Sequence, residues 1–80
     1  MNGYLSMEKD DKVFLGHILE SINLIEQYID GMDEGDFMKS RPTQDSVVRR
    51  FEIIGEASNN LSEEIRQKSP HIDWPDIIGM

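Results

Sequence analysis

Eighty residues are enough for a single domain with a modest core. The chain has no cysteine, which excludes a disulfide framework and a thiolate metal site. Sixteen acidic residues outnumber eight basic ones, and the formal charge of −8 is the opposite of the basic surface that nucleic-acid binding normally requires. No apolar run is long enough to cross a membrane, and the first residues lack the basic and apolar segments of a signal peptide. We therefore expect a cytoplasmic protein.

The first half of the chain predicts one long helix and one short one. Residues 1–9 are polar and are expected to form a flexible arm before a helical domain over residues 10–80. Apolar residues at helical spacing predict a helix over residues 11–29, and Asp30-Gly31 ends it because glycine readily takes the left-handed cap conformation. Residues 32–39 predict a short turn or helix. The expected buried stripe of the first helix is Phe14, Ile18, Ile22, Ile25 and Ile29.

A second long helix is predicted over residues 43–61, with Thr43 as its cap. Gly55 and its small neighbours Ala57 and Ser58 permit the close approach of another helix. No segment alternates between apolar and polar residues as a strand does, so the predicted fold class is all-α. The expected buried face of this helix is Val47, Phe51, Ile54, Ser58 and Leu61.

The end of the chain contains two further helix starts. Ser62 is expected to cap a short helix over residues 63–67. Asp73 is followed by tryptophan and proline, which is typical of a helix start. One turn of helix is not stable by itself, because nucleation is costly. We therefore expect either that the natural chain continues past Met80 or that this end packs against a partner.

The polar residues of the second long helix fall on one narrow face. Asp45, Arg49, Glu52 and Glu56 recur at helical spacing, and Asn59 continues the series. Arg49 can pair with Asp45 and with Glu52, whereas Glu52 and Glu56 repel each other. One interpretation is a solvated surface with ordinary ion pairs. The other is a polar site that a cation from a neighbouring helix completes.

Other residues that could carry chemistry do not form a recognisable site. His17 is expected on the flank of the first helix near Leu24 and Tyr28, and His71 in a loop. Neither histidine has the spacing of a metal site, so no metal and no cofactor are predicted. Trp74 is expected to anchor a helix start, although it could also serve as a stacking platform for a base.

Two stretches of the chain resemble a known family. Residues 43–57 read TQDSVVRRFEIIGEA and resemble the signature helix of the HepT-like members of the HEPN superfamily. Residues 70–80 read PHIDWPDIIGM and resemble that family's next segment. The resemblance spans residues 10–80 and implies an antiparallel up-and-down helical bundle that usually dimerises. It also implies that the C-terminal helices of the bundle lie outside this chain.

The resemblance implies a metal-independent endoribonuclease that acts as a toxin in a prokaryotic toxin–antitoxin pair. The antitoxin is an MntA-like nucleotidyltransferase that adds AMP to a tyrosine of the toxin. The family's catalytic Arg-x4–6-His motif, and that tyrosine, are expected after Met80, so this chain contains no catalytic residue. The supporting roles implied for this chain are those of Asp45, Arg49, Glu52 and Glu56, which are expected to face the groove that receives the catalytic arginine.

A non-enzymatic alternative is a helical dimerisation or partner-binding module that engages a nucleotidyltransferase. It would use the faces that contain Phe14, Ile18 and Ile25 or Val47, Phe51 and Ile54. A third possibility is a fragment without a role of its own, which would fold poorly in isolation because its core is small. RNA cleavage separates the first hypothesis from the other two.

Overall fold

The computed structural model describes residues 9–79, and within them all regular structure is helical. The five helices are α1 (Lys9–Ile29), α2 (Glu34–Lys39), α3 (Arg41–Asn60), α4 (Glu63–Gln67) and α5 (Trp74–Ile78). The predicted arm lies outside the described residues except for Lys9, which already belongs to α1. None of the described helices combines the length and hydropathy that crossing a bilayer requires. The prediction of an all-α fold is confirmed.

The turn from α1 into α2 follows the local signals in the sequence. Gly31 has a φ of 77°, a left-handed conformation that favours glycine, and it directly follows the end of α1. Asp33 caps α2, because its carboxylate accepts the backbone N–H of Asp36 at 2.7 Å. The Asp36 carboxylate accepts the backbone N–H of Asp33 at 3.2 Å, which completes a capping box. The ambiguous segment is therefore a short helix.

The start of α3 differs from the prediction. Ser40, not Thr43, is the cap, and Pro42 lies in the first turn. The Ser40 hydroxyl accepts the backbone N–H of Thr43 at 3.3 Å and donates to the Thr43 hydroxyl at 2.8 Å. Proline suits this position because a backbone N–H in the first turn of a helix has no acceptor within the helix, so nothing is lost when proline lacks it. The helix therefore begins two residues before the predicted start.

The main packing interface joins α1 and α3, which run antiparallel. Asp11 near the start of α1 meets Ser62 just beyond the end of α3. At the other end of the hairpin, Ile29 and Val47 line the same groove. The buried apolar residues of the described chain are few, and all but one belong to α3: they are Val47, Ile54, Ala57 and Leu61.

The buried stripe of α1 is rotated from the predicted one. Ile22 and Ile29 were expected inside but are 44% and 40% exposed, whereas Ser21 is completely buried. Phe51 of α3 was also expected inside and is 41% exposed. The hydroxyl of Ser21 has no hydrogen-bond partner within the described residues. The packing therefore buries the small side chain of Ser21 and leaves larger apolar side chains partly exposed.

A buried carboxylate joins the start of α1 to the junction between α3 and α4. Asp11 is 1% exposed. It accepts the Ser62 backbone N–H at 2.8 Å and the Ser62 hydroxyl at 2.7 Å. Ser62 in turn caps α4, because its hydroxyl accepts the Ile65 backbone N–H at 3.2 Å. The predicted cap of α4 is confirmed, and α1 holds it in place.

The last helix, α5, packs on α3 at a glycine. A Cβ atom added to Gly55 would lie 3.3 Å from the Ile77 carbonyl oxygen and 3.5 Å from that of Ile78. Asp73 caps α5 by accepting the Asp76 backbone N–H at 3.3 Å. The Trp74 indole N–H donates to the carbonyls of Arg66 at 3.1 Å and Ser69 at 3.2 Å. The predicted close approach at Gly55 and the anchoring interpretation of the tryptophan are both confirmed.

Candidate functional site

The polar face of α3 borders a groove at the point where α5 packs. This groove, the α3–α5 groove, has a volume of about 410 Å³. Its floor is Gly55, because the absence of a side chain there lets α5 approach. The residues that line it are Arg49, Glu52, Gly55, Glu56, Asn59 and Ile78. Three of the four predicted supporting residues are therefore brought together at one site.

Asp45, the fourth predicted residue, does not line the groove. It pairs with Arg41 at 3.7 Å rather than with Arg49, so the predicted Asp45–Arg49 pair is wrong. Arg49 pairs with Glu52 at 3.6 Å, as predicted. Both side chains of that pair are more than half exposed, so the pair contributes little to stability. Its importance is electrostatic, because it neutralises one of the two glutamates of the groove.

Glu56 is the acid that remains without a countercharge. Within residues 9–79 no ion pair involves its carboxylate. It is exposed, and it borders the α3–α5 groove on one side of α3. The groove therefore offers a carboxylate to an incoming cation, which is the charge balance that the sequence suggested for this face.

Glu56 also borders a second groove of about 460 Å³, between α1 and α3. The ring of His17 meets Phe14 edge-on there, with centroids 6.2 Å apart. Arg50 lies on the opposite wall, a position that the sequence analysis did not identify. The neighbours of Arg50 are set by how α1 packs, and no spacing within α3 reveals them. The lining residues are Phe14, His17, Glu20, Arg50, Ile53, Glu56, Ala57 and Asn60.

Arg66 and His71 have the spacing of an arginine, four residues and a histidine, but the structure does not unite them. Arg66 lines a hollow of about 370 Å³ with Trp74 and Pro70, whereas His71 is an exposed loop residue that does not line it. Trp74 is committed to two backbone carbonyls through its indole N–H. In the described residues, no group of three or more histidines and acids is placed to hold a metal ion.

The fold and the groove together define a small all-α domain with an acidic polar site on its second long helix. The ribonuclease HepT-like family model matches residues 18–80 of the chain. The chain belongs to this HepT-like family, as the two resembling stretches indicated. No solved structure matches it.

Two archaeal proteins whose names include a ribonuclease are similar in sequence to this chain. It is 53% identical over 74 residues to a Methanocaldococcus jannaschii protein named "Gamma-glutamylcyclotransferase and putative RNase". That match covers 92% of this chain and 33% of the relative. It is 36% identical over 74 residues to "Probable ribonuclease HepT" of Thermococcus cleftensis, covering 92% of this chain and 67% of the relative. The chain thus spans between a third and two thirds of the length of these relatives.

Proposed function

We propose that this protein is a HepT-like endoribonuclease toxin of a prokaryotic toxin–antitoxin module. In this proposal it acts in the cytoplasm as a homodimer, cleaves RNA without a metal ion, and is neutralised by an MntA-like nucleotidyltransferase. Family membership supports an RNase-type function. The single structural observation that supports the site is the α3–α5 groove, where Arg49, Glu52 and Glu56 converge beside α5.

The residues of the groove are positioning residues in this proposal. The resemblance assigns catalysis to an arginine and a histidine expected after Met80. A histidine with a near-neutral pKa would move the proton of a ribose 2′-hydroxyl, and an arginine would stabilise the charge on the phosphate. The carboxylate of Glu56 can hold that arginine by a charge-assisted hydrogen bond. Arg49 neutralises Glu52, so Glu56 is the carboxylate that remains to bind and orient the guanidinium of the incoming arginine.

The test is RNA cleavage by the intact gene product, with Arg49→Ala compared with Arg41→Ala. Both arginines are exposed, lie on α3 and pair with an acid within one turn. Only Arg49 lines the groove. We expect Arg49→Ala to lower kcat by about ten- to a hundredfold, because a small misplacement of a catalytic group is costly. KM and helicity should be unchanged, and Arg41→Ala should cleave like the wild type.

The same variants test the biological setting. Expression of the wild type should stop growth, co-expression of the nucleotidyltransferase should restore it, and Arg49→Ala should be harmless alone. Equal activity of both variants would overturn the positioning role of the groove, whereas cleavage that requires a divalent ion, or no cleavage by the wild type, would overturn the proposed activity. In the first case the α3 polar face is an ordinary solvated surface.

A non-catalytic partner-binding module is the second candidate. It is favoured by large apolar side chains that remain exposed, among them Leu19 at 60% and Met38 at 67%. The faces that the sequence analysis offered for dimerisation are partly used within the chain, since Val47 and Ile54 are buried. An intact gene product that dimerises or captures the nucleotidyltransferase but never cleaves RNA would favour this candidate.

A further inference from the structure

An open apolar groove lies where α1, α2 and α3 meet, away from the α3–α5 groove. It has a volume of about 390 Å³ and is called here the α2 groove. Phe51 and Ile29, two of its walls, are 41% and 40% exposed. Ile22 lies two turns before Ile29 on the same side of α1 and is 44% exposed, so the apolar surface continues along α1. The lining residues are Ile25, Ile29, Met32, Asp33, Glu34, Phe37, Val47 and Phe51.

The charged residues that line the α2 groove have one sign. Its charged lining residues, Asp33 and Glu34, are both acids. Residues 26–39, which run from the end of α1 through α2, contain five acids and one base, Lys39, which does not line the groove. The arginines of α3 that carry ion pairs, Arg41 and Arg49, pair with acids of α3 and not with this rim. A ligand therefore binds the groove more tightly if it places apolar side chains in the centre and positive charges at the edge.

We propose that the α2 groove binds an amphipathic helix of a partner protein whose apolar stripe is flanked by lysine or arginine. An apolar cleft between helices is the usual receptor for such a stripe, read at positions i, i+3, i+4 and i+7. A half-exposed aromatic such as Phe51 is the kind of residue that dominates the energy of such contacts. The inference concerns binding and does not rest on RNA cleavage.

A second copy of this chain fits the groove less well than a basic helix. Each copy carries a formal charge of −8, and two copies meeting groove to groove would place two acidic rims against each other. Like charges brought together at an interface oppose association. The homodimer proposed above would accordingly use another surface.

The test is the binding of two synthetic peptides of about 20 residues. Both carry leucine at i, i+3, i+4 and i+7 in an alanine background, and the flanking positions are lysine in one and glutamate in the other. We expect the lysine peptide to bind the 80-residue protein at a 1:1 ratio, and the glutamate peptide to bind at least about tenfold more weakly. Raising the salt concentration from about 50 to about 500 mM should remove most of this difference.

Matched variants locate the binding site. Phe51→Gln should weaken binding of the lysine peptide about tenfold, whereas Val13→Gln, at a comparably exposed apolar residue outside the groove, should not. Glu34→Lys should weaken it about threefold or more. Glu63→Lys makes the same charge change at the first residue of another short helix and should have no effect. Circular dichroism should show the same helicity for all four.

Three results would overturn the inference. The first is equal binding of the two peptides, or binding of neither. The second is binding that is unchanged in Phe51→Gln. The third is a dimer of the protein alone, seen by sedimentation, that Phe51→Gln dissociates, because the groove would then be covered by a second copy. RNA cleavage is not measured in this test, so the binding proposal can be disproved while the proposed activity stands.

Discussion

Asp11 illustrates how one side chain can determine the position of an element far along the chain. Burial of a carboxylate is costly unless hydrogen bonds compensate for the lost water. Here the Ser62 N–H and hydroxyl provide two of them, across 51 positions of sequence. The sequence predicts that acids in the first turn favour a helix start, and it cannot show which of Asp10 and Asp11 is buried, because the partner belongs to another helix.

Asp11→Ala should destabilise the protein by about 2–4 kcal/mol, because it removes two hydrogen bonds to a charged acceptor and leaves the half-buried Ser62 N–H and hydroxyl without that acceptor. Asp10→Ala changes the neighbouring acid in the same turn, and Asp10 is exposed. That control should change the free energy of unfolding by less than about 0.5 kcal/mol. Urea unfolding followed by circular dichroism measures both values. An equal effect of the two substitutions would contradict a structural role for Asp11.

At the scale of the element, α5 depends on the missing side chain of Gly55. A Cβ atom there would crowd the Ile77 carbonyl oxygen at 3.3 Å and touch that of Ile78 at 3.5 Å, and the two methyl groups of a valine need further space. Gly55→Val should therefore displace α5 and lower the free energy of unfolding by about 1–3 kcal/mol. Trp74 is the only tryptophan and belongs to α5, so its fluorescence reports the displacement directly.

Gly16 provides the control for this substitution. It lies in the long helix α1, and a Cβ atom added there would meet nothing within 4 Å. Gly16→Val should leave the fluorescence unchanged and should be neutral or slightly stabilising, because valine has a higher helix propensity than glycine. The same fluorescence shift in both variants would show that α5 does not depend on the glycine of α3.

The helices and two of their caps were predicted because their causes are local. Ser62 and Asp73 each cap a helix through an N–H three residues later, so a few residues of sequence are sufficient. The Asp33 cap was not named, and Ser40 takes the place of the predicted Thr43. The rotation of α1 was not predictable in this way. Whether Ile22 or Ser21 faces α3 depends on how closely two helices can approach, and periodicity alone does not determine it.

The site was predictable to the same degree. Arg49, Glu52 and Glu56 share a groove because helical spacing places them on one face, which a sequence shows. Asp45 is on the same face yet outside the groove, because α5 reaches only as far as Gly55 and its neighbours. Its pairing with Arg41 was also missed, since the predicted helix began after that residue.

At the scale of the whole molecule, the described residues form an elongated body of 50 × 21 × 17 Å. The 21 residues of α1 span about 32 Å of this length, and α4 and α5 are five-residue helices that follow α3. Helices this short are not stable without tertiary contacts. We therefore expect the two long helices and the two five-residue helices to differ in local stability.

Amide hydrogen exchange should reveal this difference. Backbone amides of Ile54 and Ser58, in the buried part of α3, should exchange at least about tenfold more slowly than those of Ile77 and Ile78 in α5. The comparison requires no substitution and can be made by NMR on the wild-type chain. Uniform protection of both helices would show that the molecule opens only as a whole.

The contact between Asp11 and Ser62 also has a consequence for how the sequence can change over time. Alteration of Asp11 leaves the Ser62 N–H and hydroxyl without this acceptor, and alteration of Ser62 takes one donor from the buried carboxylate, so the two positions are energetically non-additive. Replacement of both removes the buried carboxylate together with the hydroxyl, and the groups that then lose an acceptor are the backbone N–H groups of residue 62 and Ile65. Lineages that lose one member of the pair should therefore have lost the other, and this covariation would be visible in an alignment of close homologues.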